Sequence, residues 1–446
     1  MRREPVGRED GLSRGTLRRW ASLSAAVALL GATSGVGAAE ALASAPAPRG
    51  DAGPGLAAFD RLLESFIAEK EIPGAALAIA KDGRLLLARA YGWADAARSQ
   101  PVEPTSLFRV ASVTKPFTAV AVLRLAATGK LPLDAKIVDL LGPDYPAPAD
   151  PRWRNIRLLE LLHHRGGFDR DQSLDPMFAS EIIVRELGVP PPAKPRDVIR
   201  FMLGRPLDFD PGARYAYSNF GYCLLGRAIE RATGKSYEDA VRELVLAPLG
   251  IRRMRLGRTL REDRAPGEVE YLMRGPGEGT AVMGPVGKSV PWPYGAWCLE
   301  TMDAHGGWIA SAPDLVRFAS DFRDRARSTL LRPEWVDAML ARYSKADTGA
   351  RYYASGWMMS PAGADGRWNF AHNGSLDGTE SYLVLRPDGV SMAVIFNIRN
   401  EYSKRVRSFV SELEPLLHQA ASEVTEWPAL DLFAKFSGQG AGEGAR

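Results

Sequence analysis

Only two cysteines, Cys223 and Cys298, stand in 446 residues, and they form no C-x-x-C pair. That excludes a zinc ribbon and a thioredoxin-type redox motif. Two buried thiols are the plain reading of the pair, with a single disulfide as the alternative. Histidine is also sparse, with five in the chain. His163 and His164 are adjacent, and neighbours on a helix point about 100° apart, so a structural role is expected rather than a shared metal ion. His305 precedes two glycines and reads as a turn; His418 reads as exposed near the end of the last helix. No long basic block interleaves with aromatics, and 57 basic side chains nearly balance 53 acidic ones. Nucleic acid is therefore not an expected partner. No internal repeat is visible.

What the chain does have begins at its N-terminus. Arg14, Arg18 and Arg19 precede an apolar run, Ala21 to Leu30, which is too short for a bilayer span of roughly 20 residues. Small residues follow, with Ala41-Leu42-Ala43 as an A-x-A cleavage site and Val36-Gly37-Ala38 as a second one. This layout predicts a signal peptide over residues 1–43 and export to the periplasm or the medium. The Arg18-Arg19 pair leaves a twin-arginine route open. Residues 44–55, rich in Ala, Pro and Gly, read as a linker, 56–419 as one folded domain, and 420–446 as a tail with a polar, Gly-rich end.

Phe59, Leu62, Leu63, Phe66 and Ile67 recur at helical spacing. Two apolar strands, 75–80 and 84–91, flank Lys81-Asp82-Gly83 and predict a hairpin. The device recurs around Pro387-Asp388-Gly389, followed by a helix carrying Val406, Phe409, Val410, Leu413 and Leu417. Residues 261–294 read as a long Gly/Pro-rich loop. Strands thus cluster at both ends and helices in the middle. The expected fold is α+β: an α/β sandwich whose antiparallel sheet draws strands from both ends, with a mainly helical inserted lobe and a cleft between.

Three short motifs carry chemistry. Ser112-Val113-Thr114-Lys115 is an S-x-x-K at a helix start, which places both side chains on one face. Serine needs a base to become a nucleophile, and lysine is one only when burial or nearby positive charge keeps it neutral. Tyr217-Ser218-Asn219 follows a Pro-Gly turn. A tyrosine beside a lysine can relay a proton, and an asparagine can hold the lysine or a substrate amide. His372-Asn373-Gly374-Ser375 follows a strand. The amide of Ser375, with that of Ser112, could form an oxyanion hole, with Gly374 admitting substrate backbone and His372 lining the cleft wall. Taken singly, each motif is common enough to arise by chance. So does the G-x-S-x-G at Gly11–Gly15, which lies ahead of the apolar run and lacks a strand-to-helix context.

S-x-x-K with S-D-N and K-T-G marks class A β-lactamases and penicillin-binding proteins. Here the set is S-x-x-K, Tyr217-x-Asn219 and His372-x-Gly374, in order. It resembles the class C β-lactamase-like branch, which includes D,D-carboxypeptidases, D-aminopeptidases and carboxylesterases. Phe108 to Thr118 resembles that branch's nucleophile helix, Leu161 to Gly167 its leucine–histidine turn, Tyr217 to Tyr222 its tyrosine segment, and Gly306 to Leu315 its Gly-Gly segment. The likeness runs from about Leu56 to Leu417. Two departures stand out: His372 replaces the usual lysine, which favours peptidases and esterases over lactamases, and Arg165-Gly166 replaces small hydroxyl residues.

The resemblance implies a β-lactamase/transpeptidase-like fold and a secreted serine hydrolase acting through a Ser112 acyl-enzyme on an ester, peptide or β-lactam. Lys115 and Tyr217 are the implied proton carriers. Asn219, His372, Gly374 and Ser375 are the implied substrate and oxyanion residues, and no metal or organic cofactor is implied. Trp292, Tyr294 and Trp297 are candidates for the substrate entrance and are equally well explained as core aromatics. The alternatives are a β-lactamase proper and a non-catalytic scaffold that binds a ligand.

Overall fold

The computed structural model describes residues 46–275, 277–345, 347–363, 366–400 and 407–436. The expected signal peptide, Val406 and the Gly-rich end from residue 437 lie outside these.

Eight antiparallel strands form the central sheet. They are β1 (Arg49–Ala52), β2 (Gly74–Lys81), β3 (Arg84–Gly92), β4 (Tyr352–Tyr353), β5 (Met358–Pro361), β6 (Trp368–Leu376), β7 (Thr379–Leu385) and β8 (Val390–Phe396). Their spatial order is β1-β3-β2-β8-β7-β6-β5-β4. The two ends of the chain meet at the β2–β8 pairing, where Ala78 faces Ala393. Both predicted hairpins are present. The first turns through Asp82 and Gly83, which both take positive φ (52° and 80°), the conformation that an Asp-Gly turn supplies.

The two faces of the sheet differ in side-chain size. Along β2, Ala76, Ala78 and Ala80 face the helical lobe, while Leu77 and Ile79 join the opposite core. This is the period-two alternation of a strand covered on both sides. The alanine face lets helix α4 (Ala312–Ser320) lie close against β2 and β8. The Leu/Ile face is covered by α1 (Ala57–Glu69) and α5 (Phe409–Ser422), through Phe59, Leu63, Leu413 and Leu417. Between the sheet halves, the lobe is built around α2 (Thr114–Ala127) and α3 (Asn219–Thr233). Among the described residues no helix is long and apolar enough to cross a membrane.

Three boundaries need correction. The expected linker at 44–55 contains β1, because Arg49–Ala52 find backbone partners on the free edge of β3. Residues 431–436 of the expected tail dock on the body. The Leu85 amide donates to Asp431, the Leu432 amide to the Leu85 carbonyl, and Phe433 and Phe436 are buried. The expected loop at 261–294 holds a hairpin, Glu278–Thr280 with Ser289–Pro291, and buries Val269 and Tyr271. Cys223 and Cys298 are free and buried.

Candidate active site

Ser112 sits in a tight turn, Ala111–Val113, that runs straight into α2. Pro116 is the third residue of that helix, where a missing N–H costs no intrahelical bond. The turn is strained: Ala111 has φ +47°, which a residue with a Cβ adopts only under constraint. The constraint comes from β7. Thr379 Oγ1 donates to the Arg109 carbonyl and Ser381 Oγ to the Val110 carbonyl, both at 2.8 Å.

Lys115 is fully buried. Its Nζ lies 2.8 Å from Asn219 Oδ1, 2.9 Å from the His305 carbonyl and 3.0 Å from Ser112 Oγ. Burial, and then the positive charge of Arg170, hold its pKa well below the ordinary 10.5. The two carbonyl oxygens can only accept. A neutral amine therefore spends both N–H bonds on them and turns its lone pair to Ser112. Tyr217 Oη donates to Ser112 Oγ from the other side at 2.9 Å, and burial raises the phenol's pKa, so it stays protonated at rest.

Asn219 opens α3, and Ser218 is its cap, its Oγ accepting from the Gly221 amide. The Asn219 amide nitrogen donates to Asp175 Oδ2 at 2.7 Å, which fixes its oxygen toward Lys115. Asp175, Arg170 and the His305 carbonyl are contributors that sequence reasoning missed. A backbone carbonyl has no residue signature, and Arg170 and Asp175 lie in a loop without period. His305 is not a turn residue but part of a short buried helix, Asp303–Gly306.

These groups open on a cleft of about 940 Å³ between the lobe and β6. The partner strand β5 stops at Met358, opposite Ala371. Among the described residues, β6 from His372 onward pairs only with β7, so one of its edges faces the cleft. Asn373 and Ser375 are exposed there. His372 is not. It is 1% exposed, with Nε2 2.9 Å from Tyr353 Oη and Nδ1 2.6 Å from the Asn373 carbonyl, and so it lies beneath the wall. Gly374 is required for a reason other than substrate approach: a Cβ there would come within 2.2 Å of the Val110 carbonyl oxygen and 3.1 Å of the Ser112 amide nitrogen. The absence of a side chain lets the strand press against the nucleophile turn.

The expected entrance aromatics lie elsewhere. Tyr294 and Trp297 are buried around the guanidinium of Arg109, with their rings 5.6 and 5.3 Å away. Trp292 is 38% exposed and packs on Gly279. Arg165 points away from the cleft to Asp347 at 2.6 Å and lies over the Tyr343 ring. His418 is half-buried and meets Tyr382 Oη at 3.2 Å.

The family model for β-lactamase matches residues 59–412. The chain belongs to the β-lactamase family. It is similar to esterase EstB of Burkholderia gladioli, with 35% identity over 201 residues, covering 44% of this chain and 50% of that one. It is also similar to the probable fimbrial assembly protein FimD, serogroup H1, of Dichelobacter nodosus, with 40% identity over 153 residues, 34% of this chain and 36% of that one. The matched stretches thus span half or less of these relatives' own lengths. Among solved structures, the D-amino acid amidase of Ochrobactrum anthropi SV3 in complex with D-phenylalanine superposes with a TM-score of 0.64 at 23% identity, covering 82% of this chain and 98% of the amidase. That likeness establishes the β-lactamase/transpeptidase-like fold in this member of a serine hydrolase family.

Proposed function

We propose that the protein is an exported serine hydrolase that cleaves an ester or amide, of the carboxylesterase or D-amino-acid peptidase type, through an acyl-enzyme on Ser112. One observation carries the reading. Lys115 Nζ is buried 3.0 Å from Ser112 Oγ with its two other contacts both obligatory acceptors, an arrangement in which a neutral amine turns its lone pair to that oxygen, while Tyr217 Oη donates to the same oxygen. Lys115 takes the Ser112 proton as Oγ attacks the carbonyl carbon. The amides of Ser112 and Ser375 face the developing oxyanion. Tyr217 gives its proton to the departing alcohol or amine and is left as a phenolate beside protonated Lys115. That phenolate takes a proton from water, the hydroxide attacks the acyl carbon, and Lys115 returns its proton to Ser112 as the acid leaves. Every group ends as it began. Asn219 orients Lys115 and the substrate. The EstB and amidase likenesses support ester and amide carbonyls as the substrate class, and the charged n-region, apolar run and A-x-A site within residues 1–43 support export.

The test is intact mass after treatment with a fluorophosphonate, on the wild type and on Ser112→Ala. A single adduct on the wild type and none on the variant is the expected result. No adduct on either folded protein overturns the reading and leaves a ligand-binding scaffold in its place.

A further inference from the structure

Tyr217 stands in an irregular segment, with no helix or strand to hold its backbone. Buried backbone donors need partners, and the partners decide where such a segment sits. Here one residue supplies them on both sides of the phenol. The Ala216 amide donates to the His164 carbonyl at 2.9 Å. The Ser218 amide donates to His164 Nδ1 at 3.1 Å. The imidazole also lies against the Tyr217 ring, with centroids 4.3 Å apart and an interplanar angle of 36°.

Four further facts mark His164 as built for this task. It is 1% exposed. Its φ is +56°, a left-handed conformation that histidine tolerates better than most side chains and that aims both its carbonyl and its ring at one strand of chain. The Ser218 N–H can only donate, so Nδ1 must be the acceptor and the ring proton sits on Nε2. Tyr353, 4.3 Å away by ring centroid, backs the imidazole from another side. The neighbouring His163 is equally buried but turned away, with Nδ1 at the Tyr353 carbonyl and Nε2 at Ser355 Oγ.

We propose that His164 is the positioning residue of Tyr217: carbonyl, Nδ1 and ring face together clamp residues 216–218 so that the phenol stays in hydrogen-bond reach of Ser112 Oγ. The proposal rests on the proton-donor role given to Tyr217 above. A displacement of about 1 Å in such a group is enough to cost on the order of 100-fold in rate.

The test compares His164→Phe, His164→Asn and His163→Phe. His164→Phe keeps a ring and removes the acceptor. His164→Asn keeps an acceptor and tolerates the left-handed backbone. The kcat/KM for acylation is followed over esters of one acid with leaving groups from p-nitrophenol to ethanol. His164→Phe is expected to lose about 100-fold on the ethyl ester and far less on the p-nitrophenyl ester, which departs without a proton. His164→Asn should recover most of that loss, and His163→Phe should lower stability without changing the leaving-group dependence. Combined with Tyr217→Phe, the His164→Phe change should add no further loss. An equal loss on all esters, or a crystal structure of His164→Phe with Tyr217 Oη still at hydrogen-bond distance from Ser112 Oγ, overturns the proposal. The crystallographic outcome decides it even if the wild type takes up no fluorophosphonate.

Discussion

The two walls of the cleft are built on opposite plans. On the lobe wall the three polar side chains around Ser112 are committed: Lys115 to three partners, Asn219 to Lys115 and Asp175, Tyr217 to Ser112. On the sheet wall, β6 runs past the end of β5 and presents Asn373 and Ser375 to the open cleft. A saturated network has one low-energy arrangement, and that suits proton transfer. An unpaired strand edge has donors and acceptors to spare, and that suits an extended substrate. The comparison teaches that the lobe wall should govern kcat and that the sheet wall, apart from the Ser375 amide proposed to face the oxyanion, should govern KM.

The sharpest break of that contrast is Lys115→Met, which removes the base. It should lower kcat by at least about 1000-fold, measured in a steady-state ester assay. In the wild type, kcat/KM should fall on the acid side, because Lys115 works only when neutral and its lowered pKa places protonation below its ordinary range. A flat acid limb in the pH–rate profile would count against that role. Gly374→Val crosses from one wall to the other. Its side chain would strike the Val110 carbonyl and shift the nucleophile turn. A loss of about 100-fold in kcat is expected, with a stability loss of about 1–3 kcal/mol by denaturant titration. Asn373→Ala should stay on its own side, raising KM by about tenfold on extended substrates with kcat and Tm unchanged. A fall in kcat instead would merge the two walls into one functional unit.

The last effect is on stability alone. Burial lowers the pKa of His163 to about 4 and that of His372 to about 3. Both stay neutral in the fold while the unfolded chain takes up protons below about 6.5. Stability present above that pH is therefore lost as pH falls toward 4, by on the order of 3 kcal/mol for His163. Thermal melts between pH 7 and 4 should show the fall, and His163→Phe should make it shallower.

Much of this layout is legible from local pattern. The Asp82-Gly83 and Asp388-Gly389 turns, with the apolar alternation beside them, are enough to place the hairpins at both ends. The spacing of Ser112 and Lys115 is enough to place them on one face, because three residues along a helix start make almost one turn. Local pattern also identifies Tyr217 and Asn219 as candidates. It misleads at His372, because a strand's period says which residues share a face but not which face meets the cleft. At His372 that face meets the packed interior, against Tyr353. It leaves Tyr294 and Trp297 open, because aromatic rings suit an entrance and a core equally well, and only the path of the loop brings them to Arg109.

What the sequence determined by itself is whatever depends on neighbours along the chain: the turns, the helix faces, the apolar periods and the pairing of serine with lysine. What only the tertiary structure decided is whatever depends on backbone atoms brought from afar. The His305 carbonyl that completes the shell of Lys115, the Val110 carbonyl that demands glycine at 374, and the Ala216 and Ser218 amides that meet His164 belong to no residue type. A peptide group is the same in every residue, so its role is set by where the fold carries it and by nothing written in its side chain.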